Sequence, residues 1–205
     1  MFSAAVEEAR KELDRYDEIR EKVFKLARDL QRSIKRAISL LVRGALEEAQ
    51  QLITSSLERY RLALRSCWDS RSTALVERYL SSVSQELAEA AILLAILKGD
   101  PIPTHADLGI PSREYLLGLA DVAGELRRIM LTKMLSGDLE YAERCIELID
   151  DIYSSLSTLV YPEALIPIRP KVDYIRGLLD RCRSDFLSAK LASALSNRAI
   201  LDESM

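Results

Sequence analysis

Apolar residues recur along this chain at intervals of three and four, and no stretch alternates as a half-buried strand would. The spacing over residues 4–43 predicts one long helix that ends at Gly44, because glycine readily takes the left-handed turn that closes helices. A second helix is predicted over 45–66 and a third over 72–98. The third is stopped by "GDPIP" (99–103), where Pro101 and Pro103 cannot continue the hydrogen-bond ladder. Ser112 is placed to cap a fourth helix that runs to Gly137, and a fifth spans 139–160. A loop punctuated by Pro162, Pro167 and Pro170 leads to a last helix over 170–197 and a frayed tail over 198–205. The expected fold is all-α: one domain over 1–205, an elongated bundle of about six or seven helices with short connections.

The first helix carries a size argument. Forty residues at about 1.5 Å each span about 60 Å. A compact chain of this length measures only about 43 Å across. Either the subunit is elongated or the overhang packs against other subunits, and the second is favoured.

Composition narrows the class. With 48% hydrophobic and 30% charged residues, the chain can bury one sizeable core and is too polar to be a membrane protein. Runs such as "AAILLAIL" (90–97) are about half the length that crosses a bilayer. The segment "MFSAAVEEARKELDRYDE" lacks the basic start and apolar stretch of a secretory signal. Cys67, Cys145 and Cys182 are odd in number and far apart, so they read as reduced core thiols of a cytoplasmic protein. A net charge of −3 excludes a wholly basic nucleic-acid binder and leaves room for a local basic groove. Asn197 is the sole Asn, and Gln31, Gln50, Gln51 and Gln85 are the only Gln; scarce amides fit a hot environment.

Histidine chemistry is largely removed by counting. His105 is the only histidine and lies in the Pro-rich loop, which argues against His metal triads, Ser-His-Asp catalysis and ferritin-like di-iron sites. Neither GxxxxGK[ST] nor GxGxxG occurs. Carboxylates remain. In "EYLLGLADVAGELRR" (114–128), the positions from Tyr115 to Leu126 are nearly all apolar or Gly except Asp121 and Glu125. Gly118, Asp121 and Glu125 share one helical face, and a mid-helix Gly, costing about 1 kcal/mol against Ala, makes sense where something approaches closely. Glu86 and Glu89 form a second pair in "SQELAEAAILLAIL" (84–97). If the two helices pack side by side, the four carboxylates converge, and a hard cation such as Mg²⁺ or Mn²⁺ would offset their charge.

Ordinary readings stand beside this one. Among 32 acidic residues such pairs arise by chance, as Glu143, Glu147 and Asp151 illustrate on what looks like a solvated face. Buried salt bridges to arginine are another. On the first helix, "KLARDLQRSIKRAISLLVR" (25–43) sets Lys25, Arg28, Arg32, Lys35, Arg36 and Arg43 within an arc of about 100°. Such a stripe can follow a phosphate backbone, or be a solvated face pairing with acids such as Asp29. Arg127, Arg128 and Lys133 follow the second acid pair and could also meet phosphates.

These segments resemble the translin and translin-associated factor X (Trax) family. "YLLGLADVAGELRR" (115–128) is similar to its signature helix, "KLARDLQRSIKRAISLLVR" to its first-helix motif, and "QELAEAAILLAIL" (85–97) to its third-helix segment. "RPKVDYIRGLLD" (169–180) resembles its last helix more loosely. Trax subunits carry an E-x-x-E pair and an A-D-x-x-G-E motif that supply four acidic catalytic residues, which fall here on Glu86, Glu89, Asp121 and Glu125. Translin subunits lack the complete set. The chain departs from Trax at Ala123, where Thr is common, and at Arg127, where an apolar residue is usual.

The resemblance implies an archaeal-type, Trax-like subunit that assembles into a hollow homo-oligomer, typically an octamer, around single-stranded RNA. A translin-type partner is not required, and single-stranded DNA is a further ligand of such proteins. The expected activity is a Mg²⁺- or Mn²⁺-dependent endoribonuclease acting on single-stranded or partly paired RNA, with the Lys25–Arg43 stripe, Arg127 and Arg128 as RNA contacts. The alternatives are a non-catalytic nucleic-acid-binding scaffold and an all-α nucleoside triphosphate pyrophosphatase, whose usual E-E-x-x-E start is missing.

Overall fold

Seven helices make up nearly all of the residues that the computed structural model describes, 2–66 and 69–203, and no strand occurs among them. They are α1 (Phe2–Val42), α2 (Leu46–Arg65), α3 (Ser70–Lys98), α4 (His105–Leu108), α5 (Ser112–Leu135), α6 (Leu139–Ser157) and α7 (Ile168–Glu203). The all-α expectation holds. Gly44 and Gly99, at φ 81° and 70°, close α1 and α3 in the left-handed region that other residues avoid.

The departures from expectation lie at helix ends. Short α4 was not anticipated; it is set by a capping box in which Thr104 accepts from the Asp107 N–H and Asp107 accepts from the Thr104 N–H. Ser112 is the first helical residue of α5 rather than the residue before it. The sixth helix ends at Ser157, since the approach to Pro162 favours extended backbone. Pro170 falls in the first turn of α7, where its missing N–H is not needed, and the helix continues to Glu203 where a frayed tail was expected. Cys67 lies outside the described residues.

The chain forms two compact units, residues 1–115 and 116–205. In the first, α1, α2 and α3 pack as an up-down-up bundle. The second helix runs against the first, with Ser56 Oγ donating to Ser33 Oγ at 3.1 Å, whereas α3 runs alongside it, with Gln31 Nε2 donating to Ser82 Oγ at 3.2 Å. Val23, Ala27, Leu30, Ile34, Ala37 and Leu41 form the buried stripe of α1. The same three-and-four spacing continues back through Leu13, Val6 and Phe2, which are exposed. Tyr60 is buried between α2 and α3 beside Ser84, and burial pushes its hydroxyl pKa up to about 12.

One helix stretch, Arg71–Lys98, is long and apolar enough to cross a membrane by length and composition, but 56% of that window is buried in the bundle. Its hydropathy reflects a core position.

The second unit repeats the up-down-up scheme. Arg183 pairs with Asp150 at 3.1 Å and Lys190 with Glu143 at 3.8 Å, so α6 and α7 are antiparallel. Cys145 and Cys182 are buried free thiols, as expected, and burial raises the Cys145 pKa to about 11. Asp138 caps α6 by accepting from the Tyr141 N–H at 3.2 Å.

The Lys133 ammonium, 3.0 Å away, and that N–H hold the Asp138 carboxyl below the usual carboxylate range. Because the folded pKa lies below the unfolded one, this stabilisation is full above pH of about 4 and is lost as pH falls through the folded value. Asp138→Ala should therefore lower the melting temperature at pH 7, and calorimetry should show the deficit shrinking as the pH drops toward 3.

Candidate active site

Carboxylates stand out where they interrupt covered helix. From Val83 to Leu97 no residue of α3 is exposed, and within that stretch Glu86 and Glu89 are half-buried. The Oε2 atom of Glu86 is shut off from solvent. From Glu114 to Arg127 no residue of α5 is exposed, and there Asp121 and Glu125 are half-buried beside fully buried Gly118. Apolar periodicity drives both segments into cores, so an ionised group there loses hydration that other charges must replace.

In the second unit those charges are visible. Lys171 Nζ donates to Asp121 Oδ1, each side chain 30% exposed. Arg128 Nη1 donates to Glu125 Oε2 at 2.7 Å, and that carboxylate is 17% exposed. Arg127 points elsewhere: its Nη2 donates to Asp185 Oδ2 at 2.8 Å, and its Nη1 lies 3.5 Å from Cys182 Sγ. The two links from α5 to α7 climb both helices together, as the first and third members of an up-down-up bundle require.

Two residues of the site were not singled out from sequence. Glu114 is buried, lies on the Gly118–Asp121–Glu125 face of α5, and accepts from Ser81 Oγ and Arg113 Nη1, both at 2.8 Å. Its legible signal is a position one turn before Gly118, in the first turn where the helix dipole favours an acid. Lys171 had an opposite signal. It is a cation close to the start of α7, a place the dipole disfavours.

The basic stripe is where periodicity put it. Lys25, Arg28, Arg32, Lys35, Arg36 and Arg43 are all exposed, and at 100° per residue they lie opposite the buried stripe of α1. Arg32 is bound to Asp29 at 2.5 Å. Among the described residues, Lys25, Arg28, Lys35, Arg36 and Arg43 make no ion pair. His105 is exposed, its ring edge-on to Tyr115 at 6.3 Å, and Glu143, Glu147 and Asp151 are solvated as expected.

Among the described residues no group of three or more His, Cys, Asp or Glu side chains is gathered as a ready metal cage. The donor set nevertheless suits a hard cation that keeps waters, since Mg²⁺ is commonly held by one or two carboxylates together with substrate phosphates. Protein cations already stand at Asp121 and Glu125, marking both as places that take positive charge.

Paired half-buried acids and a cationic outer face on α1 are thus carried by an all-α helical-bundle protein. A more specific assignment comes from comparison. The translin family profile matches residues 18–182, and the chain belongs to the translin family. An uncharacterised protein of Methanocaldococcus jannaschii is 29% identical over 173 residues, 84% of this chain and 77% of its own length. The solved structure of AfC3PO in complex with duplex RNA superposes with a TM-score of 0.82 at 32% identity, covering 92% of this chain and 97% of that one. Apo-NeC3PO, at 18% identity and a TM-score of 0.80 over 90% and 96% of the two chains, shares the fold.

The two arginines after Glu125 should separate in a stability measurement. Arg127→Ala removes a link between helices and should cost about 1 kcal/mol or more. Arg128→Ala removes only a local i, i+3 pair, worth about 0.2–0.5 kcal/mol. Urea unfolding of the two variants checks the order.

Proposed function

We propose that the protein is a Mg²⁺- or Mn²⁺-dependent endoribonuclease of the translin family, Trax-like in kind. The observation that carries this reading is the presence of two acid pairs, Glu86/Glu89 and Asp121/Glu125, on helix stretches where every residue is buried or half-buried. A protein that needed only a core would be more stable with apolar residues there. AfC3PO, a relative at 32% identity, has been solved with duplex RNA, which supports RNA as the substrate class; the form proposed here, single-stranded or partly paired, follows from the family resemblance.

The four carboxylates would hold the metal, which when bound supplies Lewis acidity toward phosphoryl oxygens and a lower pKa for a coordinated water. Asp121 and Glu125 would orient the attacking water for in-line displacement at phosphorus, one of them taking a proton from it, while the P–O bond to the departing ribose oxygen breaks and that oxygen takes a proton from solvent. Arg128, paired with Glu125 and itself exposed, would meet the phosphate. The exposed cations of α1 carry the RNA backbone without reading sequence. Exposed apolar rows on α1 (Phe2, Val6, Leu13) and α7 (Leu187, Leu191, Leu195) supply surfaces for further copies in a homo-oligomer, an octamer by family resemblance.

A non-catalytic RNA-binding scaffold is the second reading, favoured by the uncommitted cations of α1 and the lack of a ready metal cage among the described residues. Incubation of the purified protein with labelled RNA separates the two. Cleavage should require Mg²⁺ or Mn²⁺ and fall at least about a hundredfold in Asp121→Asn and Glu89→Gln; the scaffold predicts binding without cleavage. A parallel assay with free nucleoside triphosphates exposes a pyrophosphatase.

The stripe has its own test. Removing three charges, as in Arg28→Ala/Lys35→Ala/Arg36→Ala, should weaken RNA binding uniformly across sequences. The slope of log affinity against log salt should drop by about 0.7–0.9 for each phosphate that the variant no longer neutralises. An unchanged slope places RNA elsewhere.

A further inference from the structure

Lys171 reaches Asp121 from another helix, fifty residues away in sequence, and both side chains are 30% exposed. That pairing differs in kind from Glu125 with Arg128, an i, i+3 contact within one helix whose arginine is 55% exposed. It also sits where α7 has no acid in its first turn, so the dipole at that end opposes the ammonium. A cation kept in an unfavourable position, aimed at one acid of the proposed site, is explained by what it does to that acid.

We propose that Lys171 is the resident counter-ion of Asp121, a positioning residue that occupies the carboxylate until a divalent metal displaces it. The inference rests on the metal-dependent reading above and adds a regulatory element to it. An ammonium donates from one atom and rides on a flexible four-carbon stem, so it leaves and returns without repacking the helices; a guanidinium fork would not do so as readily. While it is seated, Asp121 keeps its orientation on the covered face of α5 and its charge is balanced. Metal binding is then an exchange of one cation for another at Asp121, and its apparent affinity is reduced by the competition. Once displaced, the ammonium remains on α7 near the same acid, where an arriving phosphate is its next anionic neighbour.

The test reads metal binding directly, in the full chain and without RNA. Mn²⁺ affinity is measured by electron paramagnetic resonance or calorimetry for the wild type, Lys171→Met, Lys171→Arg and Asp121→Asn. Lys171→Met, which keeps the stem and loses the charge, should bind Mn²⁺ about tenfold more tightly. Lys171→Arg should bind no more tightly than wild type, and Asp121→Asn should lose the site. In the wild type, the Lys171 ammonium signal in NMR should shift on adding Mg²⁺, with the same midpoint as binding. This measurement stands even if the Met variant fails to fold.

Unchanged or weaker Mn²⁺ binding in folded Lys171→Met, or a Lys171 signal indifferent to Mg²⁺, overturns the role of Lys171 while leaving the metal site intact. A wild type that binds no Mn²⁺, or an Asp121→Asn that binds it equally well, overturns both.

Discussion

A carboxylate on a stretch of helix whose residues are all buried or half-buried must be answered by positive charge or by hydrogen-bond donors, and the arrangement around α5 from Glu114 to Arg127 follows from that requirement. Asp121 is met by Lys171 from α7, Glu125 by Arg128 one turn on, and Glu114 by Ser81 and Arg113. Without these partners, each half-buried or buried carboxylate would lose part of what replaces its hydration. The same requirement explains the site's chemical character. Acids held this way have a fixed direction, and under the proposed function they would exchange one cation for another.

The first helix shows how one element serves two ends. Its buried stripe, Val23 to Leu41, builds the core of the N-terminal unit, and the opposite face carries exposed Lys25, Arg28, Lys35, Arg36 and Arg43. A helix can do both because successive residues step by 100°, so apolar and cationic sets never compete for the same direction. Toward Phe2 the apolar row continues into solvent, with Leu13 67% and Phe2 82% exposed. A row that stays apolar after the intramolecular core has ended suits another surface, and the proposed assembly would then use the element that carries the cations.

Much of this was legible in the chain itself. Three-and-four periodicity placed six of the seven helices, and glycine and proline marked most of their ends. The short α4 escaped because four residues are too few to show a period; only the Thr104–Asp107 capping pair betrays it. Asp121 and Glu125 stood out because they break an apolar run, and Glu86 and Glu89 for the same reason. Lys171 did not stand out, since a lysine near a helix start looks like solvent-facing charge until the partner, fifty residues away, is known. Arg127 illustrates the converse. Placed with Arg128 as a candidate phosphate contact, its guanidinium is bound to Asp185 and Cys182, a tertiary contact that no local pattern announces.

The proposed function requires the acids Glu86, Glu89, Asp121 and Glu125 to hold a divalent metal. Crystals of the protein soaked in Mn²⁺ and measured at the manganese absorption edge test it most directly. An anomalous peak within coordination distance of carboxylate oxygens of these acids, with Lys171 moved off Asp121, is the expected result. Manganese bound elsewhere, or no peak at those carboxylates at saturating Mn²⁺, would contradict it.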